Sequence, residues 1–502
     1  MDCNYKSLLY IIGIILLVVG FSGCVRFWFP VTNTSGNKSN IIDLTKDSPI
    51  TRNVKIKHCG VGYAVKGYAS LCKQMDVELV RIPSVAWGAI EHSPPKGGIH
   101  HYNWQHLDEI IREYQDNGFR VQLIVKSANS WACKSFTSDS EKFRLSSPPK
   151  DQYWDDYYSF IYHLVERYDG DGKDDMPGLK MPVLEYEIES EAHNTEFFWD
   201  GTVEEYKRLL KTAYKAAKRA NPNAKIILSG INFGDYGKEI QQFFEKHKDV
   251  TFWDIIKLVQ KYPPSIQKKM RFIIETLEYG NYYDEIDLHF NRDYKEIPSE
   301  IKLITLILDA YSSHNKSILA GDVCSCPWIR DIPKDPGGKK RFRIEQASLS
   351  SKKLSISVVH GVESFVLESI RDFPPTYKHA LKESFRFAGI FDEKKKPRPV
   401  FYAYKQTIEK IKDTTKVEYW EISGVYAYRF YFSNRPPIYV IWSEAGRKKV
   451  KLSVSSKKVM IEKLALSKNT EYEIVEANDG TVIVEIDDKP LFLVEIEGPL
   501  NQ

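Results

Sequence analysis

From Lys55 onward, short apolar runs of strand length alternate with longer stretches of helical period. The strand-like runs are Lys55–Val61, Val77–Ile82, Arg120–Val125, Val183–Ile188, Lys225–Leu228, Glu285–Phe290, Ser317–Ala320 and Ser364–Leu367. Helical patterns lie between them, including Trp104–Asn117, Trp154–Tyr168, Thr202–Ala220, Phe252–Lys261, Glu300–Ser312 and Arg341–Lys353. Pro397–Ile411 follows the last run, opened by a proline at its first turn, where the missing N–H costs nothing. Eight strands alternating with helices predict an α/β chain closed as a (β/α)8 TIM barrel. No Gly-rich phosphate loop follows the first strand, which disfavours a doubly wound nucleotide fold.

After Asp413 the pattern changes to short alternating strands, Val425–Tyr431, Ile438–Trp442, Val450–Val454, Glu471–Val475, Thr481–Ile486 and Leu491–Ile496. Turn signals such as Asn478-Asp479-Gly480 separate them, so residues 414–502 are expected to form a small C-terminal antiparallel β-sandwich packed on the barrel. At the other end, Lys6 precedes the apolar stretch Leu8 to Gly20 and then Phe21-Ser22-Gly23-Cys24. Residues 1–30 therefore read as a targeting segment, either a lipoprotein signal with Cys24 as the lipid-bearing residue or an uncleaved signal anchor over Leu8 to Phe29. Both tether the protein to the membrane with its catalytic domain outside the cytoplasm. Residues 31–50, rich in Asn, Ser, Thr and Lys, read as a polar stalk, and 51–413 as the barrel.

The chain of 502 residues is long enough for a large barrel plus a small partner domain. A net charge of +4 with no basic block gives no support for nucleic-acid binding. Beyond the targeting segment stand Cys59, Cys72, Cys133, Cys324 and Cys326, an odd number that outside the cell permits two disulfides and one free thiol. Cys324-Ser325-Cys326 lacks the partner spacing of a zinc site, and no metal or other cofactor is expected.

The chemistry concentrates at Tyr186-Glu187-Ile188-Glu189-Ser190-Glu191, which extends an apolar run and leads to Phe197, Phe198 and Trp199. Alternating carboxylates can be the wet face of an edge strand. At the C-terminal tip of a buried barrel strand, with aromatics around them, they instead suit sugar chemistry. Val80-Arg81-Ile82 with Trp87 and Glu91, the segment Glu166-Arg167-Tyr168-Asp169-Gly170-Asp171-Gly172, and the closing Phe391-Asp392-Glu393 with Lys396-Pro397-Arg398-Pro399 add to this in order and spacing. Together, over about residues 55 to 411, they resemble the clan A glycoside hydrolases, nearest to the β-xylosidase/α-iduronidase-like and β-galactosidase-like families.

That resemblance implies a glycoside hydrolase acting on an oligosaccharide or polysaccharide, with Glu191 as the acid/base at the end of strand four. The nearby aromatics are expected to raise its pKa by desolvation. The partner carboxylate belongs at the end of strand seven, where Lys316-Ser317-Ile318-Leu319-Ala320-Gly321-Asp322 ends in Asp and the family has a nucleophilic Glu. Ser190 stands in the place of the family's 2-hydroxyl-binding Asn, Asn291 in the place of a Tyr that orients the nucleophile, and Glu368 near the place of a Trp that floors the sugar site. Arg81 is retained and is expected to hold Asp322 ionised. Trp87, Trp131, Trp199 and Trp328 fall on strand-end loops suited to stacking on a pyranose, and His193 and His289 are expected to hydrogen-bond in the site.

Asp169, Asp171, Asp174 and Asp175 form an acidic, glycine-interrupted loop that is expected to be a solvated turn, since no Glu closes it as an EF-hand requires. Two functions from different classes lead, ahead of a cell-envelope structural protein in which the barrel is only a scaffold. One is a retaining glycoside hydrolase. The other is a catalytically inactive, carbohydrate-binding surface protein on the same fold. Removing residues 1–30 is expected to give a soluble, folded protein. Aggregation of the shortened chain, when the full-length protein behaves in detergent, would show that the segment belongs to the fold.

Overall fold

The computed structural model describes residues 41–135, 146–313, 315–327, 333–373 and 387–496. Eight parallel strands close into a barrel: β3 (His58–Val61), β4 (Leu79–Ala86), β5 (Arg120–Lys126), β6 (Glu185–Ile188), β7 (Lys225–Ile231), β8 (Glu285–His289), β9 (Ser317–Cys324) and β10 (Ser364–Glu368). Each neighbours the next in sequence, and β10 returns to β3 through the pairs Ser364–His58 to Leu367–Val61. All eight expected strands are present.

Helices follow the strands because their apolar faces have the sheet to cover. Val203–Ala220 buries Tyr206, Leu209, Leu210, Ala213, Ala216 and Ala217 on one face. Thr202 and Glu205 close its N-terminus as a reciprocal capping box. At the floor of the barrel the ammonium of Lys57 lies 3.0 Å from Glu285 and 2.8 Å from Glu363, tying the starts of strands one, six and eight. The last helix starts at Pro399, with Arg398 as its cap.

The C-terminal region is a two-sheet sandwich. Its strands are β1 (Ile41–Asp43), β2 (Ile50–Asn53), β11 (Lys416–Ile422), β12 (Val425–Tyr431), β13 (Ile438–Ser443), β14 (Lys448–Ser453), β15 (Lys458–Lys463), β16 (Tyr472–Glu476), β17 (Thr481–Ile486) and β18 (Leu491–Ile496). The larger sheet has the order β16–β15–β18–β13–β12–β11–β2, and the smaller one β1–β14–β17. The six expected strands are joined by β11 (Lys416–Ile422) and β15 (Lys458–Lys463). The segment expected to be stalk differs most. Ile41–Asp43 (β1) pairs in parallel with β14 (Lys448–Ser453), and Ile50–Asn53 (β2) pairs antiparallel with β11. Residues 41–53 are therefore sandwich strands laid down before the barrel begins. A three-residue strand has too little period to be recognised locally. It forms here because a sheet edge of later sequence is waiting for it.

Trp442, in β13 (Ile438–Ser443), joins sandwich to barrel. It is fully buried, stacks on Tyr426 at 4.9 Å, and points its indole N–H at the Tyr294 hydroxyl, 3.4 Å away. Lys352 donates to Glu444 at 2.7 Å beside it. Gln406 of the last barrel helix accepts from Ala465 N–H at 2.8 Å and donates to Lys463 O at 3.0 Å.

The five described cysteines are all free and buried, so neither permitted disulfide forms. Burial pushes the thiols of Cys59, Cys72 and Cys133 up to about 12, which makes them inert apolar fillers. Among the described residues no helix is long and apolar enough to cross a membrane, and Leu8 to Phe29 lie outside them.

Trp442→Ala empties a ring-sized space at this junction. It is expected to cost about 3–5 kcal/mol in urea unfolding of the full chain.

Candidate active site

Barrel interiors are ordinarily filled by branched apolar side chains. This one carries charge. Arg81 of strand two is 2% exposed and donates to Glu187 of strand four, to Asp287 of strand six at 2.7 Å, and to Gly321 O of strand seven at 2.5 Å. Glu187 also accepts from Gly230 N–H at 3.0 Å, and Asp287 from Gly321 N–H at 2.5 Å. The two glycines are required by close approach. A Cβ on Gly321 would meet Asp287 Oδ2 at 2.5 Å, and one on Gly230 would meet His289 Nε2 at 2.0 Å.

His289 carries the charge upward. Its Nε2 lies 3.2 Å from Asp287 Oδ2 and its Nδ1 2.8 Å from Glu191 Oε1. Burial opposes protonation of the ring. The carboxylates of Asp287 and Glu191 outweigh it and hold the pKa well above that of a free imidazole. Glu191 receives a second hydrogen bond from Asn232 Nδ2 at 3.0 Å, and His193 Nε2 lies 2.9 Å from Asn232 O. Desolvation alone would raise Glu191. The His289 cation and the Asn232 amide overcome it and bring the carboxyl down to about 2, so it is ionised at rest, contrary to expectation. His193, buried beside this cluster, falls to about 4 and is neutral.

Glu189 and Glu191 both adopt left-handed backbone, with φ of 65° and 49°. Non-glycine residues rarely accept this conformation, which costs about 1 kcal/mol or more each and gathers at functional sites. Ser127 N–H donates to Glu189 at 2.6 Å, and Ser229 Oγ accepts from Ala192 N–H at 2.8 Å. The strained turn is thus anchored on both sides.

Asp322 is 8% exposed, with Oδ1 buried and unpaired. Both oxygens of Glu368, on strand eight, are likewise buried without a hydrogen-bond partner. Desolvation and the Asp322 charge drive Glu368 far above the carboxylate range; burial also raises Asp322, less strongly, because the His289 cation and Glu368 pull it back down. Two neighbouring buried acids cannot both ionise readily, so the pair keeps one proton, on Glu368. Arg81 does not pair directly with Asp322 as expected; its partners are Glu187 and Asp287.

The other expected site residues separate into two groups. Ser190, half-buried, lies between the two left-handed glutamates. Asn291 accepts from Cys324 N–H at 3.3 Å and so braces the end of strand seven. Trp131 is half-buried and donates to Glu91 O at 3.0 Å. Trp87 and Trp199 are corrected: both are wholly buried and cannot stack on a sugar. Trp87 donates to Glu91 at 2.8 Å and stacks on Phe160, and Trp199 packs edge-on against Tyr206. Phe197 is exposed and does not wall Glu191. Trp328 lies outside the described residues.

Asp287, Asn232, Gly230 and Gly321 are site residues that the sequence reading missed. The first had a signal: Asp287 and His289 sit two apart in an apolar strand, hence on one face. Ligand atoms of Glu187, Asp287 and His289 lie within 4.8 Å of one another, as a metal would require, but the Arg81 guanidinium already supplies the cation there. In the acidic loop, Asp175 accepts from Gly170 and Gly172 N–H at 3.0 and 2.7 Å, as a turn does.

With this geometry in hand, three comparisons bear on the class of protein. A family model described as beta-galactosidase, glycoside hydrolase family 42, matches residues 63–136. No curated protein matches the chain by sequence. A family 39 glycoside hydrolase from Bacteroides cellulosilyticus is 14% identical with a TM-score of 0.59, covering 87% of this chain and 80% of its own. A β-xylosidase from Caulobacter crescentus is 11% identical with a TM-score of 0.54, covering 91% and 99%. An α-L-arabinofuranosidase of family 51 from Thermotoga petrophila is 12% identical with a TM-score of 0.54, again covering 91% and 99%. The fold is the (β/α)8 barrel of the clan A glycoside hydrolases.

The Glu191–His289 pair has a defined pH signature. Glu191 is depressed on folding, so its stabilisation is complete above the unfolded value of about 4.3 and fades as pH falls toward 2. His289 is raised, so its contribution is complete below about 6.5 and is lost only as pH climbs through the elevated folded value. The stability difference between wild type and His289→Asn is expected to peak between about pH 5 and 6.5, read from denaturant unfolding across pH. Arg81→Met, which strands two buried carboxylates, is expected to cost about 3–5 kcal/mol at neutral pH in the same assay.

Proposed function

We propose that the protein hydrolyses glycosidic bonds in an oligosaccharide or polysaccharide at the C-terminal mouth of the barrel, with retention of anomeric configuration. The observation that carries this is a cluster of buried acids at the strand ends: Glu191 Oε1 lies 2.8 Å from His289 Nδ1, and Asp322 stands opposite His289 in the register of strands six and seven, with Glu368 buried at the end of strand eight.

Asp322 attacks the anomeric carbon as the bond to the leaving oxygen breaks. Glu191, ionised at rest, takes the proton of His289 Nδ1, 2.8 Å away, and passes it to that oxygen. A water then attacks the glycosyl-Asp322 ester, losing its proton to Glu191 and from there to His289, and Asp322 is released as carboxylate. Glu191 thus works as a relay from a cationic partner, and its low resting pKa is compatible with acid catalysis. The chemistry calls on two carboxyl groups and water and on no cofactor. Asp322 has a shorter arm than the Glu of similar enzymes, and the backbone N–H of Phe290 meets Asp322 O at 3.1 Å, which fixes the position of its main chain. The proposal includes an extracytoplasmic location, with the barrel tethered to the membrane through Leu8 to Phe29.

On aryl glycosides, Glu191→Gln is expected to lower kcat by roughly 100-fold or more. Asp322→Ala is expected to abolish turnover, and azide, entering the vacated space, to restore part of it. Mass spectrometry after a 2-fluoro glycoside inactivator should find the label on Asp322. Sugar binding without turnover in wild type and in Asp322→Glu would establish the inactive carbohydrate-binding protein instead.

A further inference from the structure

A cavity of about 620 Å³ opens between the segments that follow strands seven and eight. Lys334, Lys339, Arg343, Lys394, Lys396 and Arg398 line it, against the carboxylates of Asp372, Asp392 and Glu393. The acids do not balance the bases, because two of them are already engaged. Asp372 is held by Arg398 through contacts of 2.6 and 2.8 Å. Asp392 accepts the backbone N–H groups of Lys394 and Lys396, both at 2.8 Å. Among the described residues, none of the four lysines nor Arg343 lies within ion-pair distance of a carboxylate.

Arg343 is the most telling of these. It sits half-buried on the helix Pro336–Val359 and donates to neutral acceptors, Gln346 Oε1 at 2.8 Å and Phe387 O at 2.6 Å. Burial and the neighbouring Arg398 charge pull its pKa down to about 10. Two partly buried guanidiniums thus stand near one carboxylate, Asp372, which only Arg398 engages directly, an arrangement that an incoming anion relieves. Loops after strands seven and eight are also where barrels of this kind commonly hold anionic groups.

The cavity is a neighbour of the carboxyl site. Phe342 and Phe387 line it and belong to the same cluster as Phe373 and Tyr63. Tyr63 packs edge-on against Phe373 at 4.7 Å and neighbours Glu368. Rings of one cluster thus connect the wall of the cationic cavity to the neighbourhood of Glu368.

We propose that this cavity is a subsite for the anionic group of an acidic glycan, a carboxylate, phosphate ester or sulfate ester carried on a sugar next to the one cleaved. The inference rests on the hydrolase reading for the order of the two sugars, but the cavity's preference for an anion is testable alone. Calorimetric titration of the full chain uses four probes of similar length: an oligogalacturonide, a phosphorylated oligomannose, a sulfated galactan oligosaccharide and a neutral cello-oligosaccharide. At least one acidic probe is expected to bind about tenfold or more tightly than the neutral one, with affinity falling as salt is raised. Which acidic probe binds distinguishes carboxylate, phosphate and sulfate.

The exposed lysines permit a clean reversal. The triple variant Lys339→Glu, Lys394→Glu, Lys396→Glu, with its fold checked by circular dichroism, is expected to lose that preference. Equal binding of acidic and neutral probes, no binding of any acidic probe, or acidic binding that survives charge reversal would each overturn the proposal. Turnover of aryl glycosides by the wild type reads the hydrolase assignment separately, so failure of one is not mistaken for failure of the other.

Discussion

A guanidinium sealed inside a barrel determines much of what surrounds it. Arg81 cannot shed its proton, and water does not reach it, so the strands around it must bring carboxylates within direct contact. Glu187 and Asp287 do so from strands four and six. Strand seven must pass Asp287 with glycine, at Gly321, and strand five must pass His289 with glycine, at Gly230. Two acids for one arginine leave negative charge over, and His289, on the same face of strand six as Asp287, takes it up as a cation. That cation is what ionises Glu191. A single buried arginine thus connects the middle layer of the barrel, through two further side chains, to the carboxylate at its mouth.

The same layer is braced from outside. Lys353, buried on the helix that follows strand seven, donates to Phe290 O at 2.7 Å and Cys324 O at 2.6 Å, clamping together the ends of strands six and seven beside Asp322. The segment leaving strand six runs on to Tyr294, which contacts Trp442 of the sandwich. The sandwich therefore buttresses the strand that supplies His289 and Asp287. The two units share a junction of aromatic rings and ion pairs that include Lys352–Glu444 and Lys410–Glu462, and the sandwich takes residues 41–53 from the other side of the barrel in sequence.

The barrel was legible because its signal is repetitive: eight apolar runs separated by helical periods leave few alternatives, and each of the eight became a strand. Glu191, His289, Asp322 and Glu368 were legible as positions, since residues at strand ends in such a barrel converge on one mouth. Their protonation was not. Sequence suggested an acid at Glu191 held protonated by aromatics, whereas Phe197 is exposed and Trp199 is packed in the core, leaving His289 and Asn232 to set its charge. Trp87 likewise looked like a sugar platform because it stood on a strand-end loop, and only packing revealed that its ring faces inward against Phe160.

What the sequence determined by itself is therefore what depends on order and period along the chain: the alternation that closes a barrel, the strand ends that carry carboxyls, and the change to short alternating strands after Asp413. Tertiary structure decided what depends on distance between residues far apart in sequence. Arg81 meets Glu187 and Asp287 across gaps of 106 and 206 residues, and His289 meets Glu191 across 98. Ile41–Asp43 finds its partner strand at Lys449–Lys451. Coulomb energies and desolvation vary with separations of a few ångströms, and no local pattern encodes those. The charge state of the site accordingly follows from the folded chain alone.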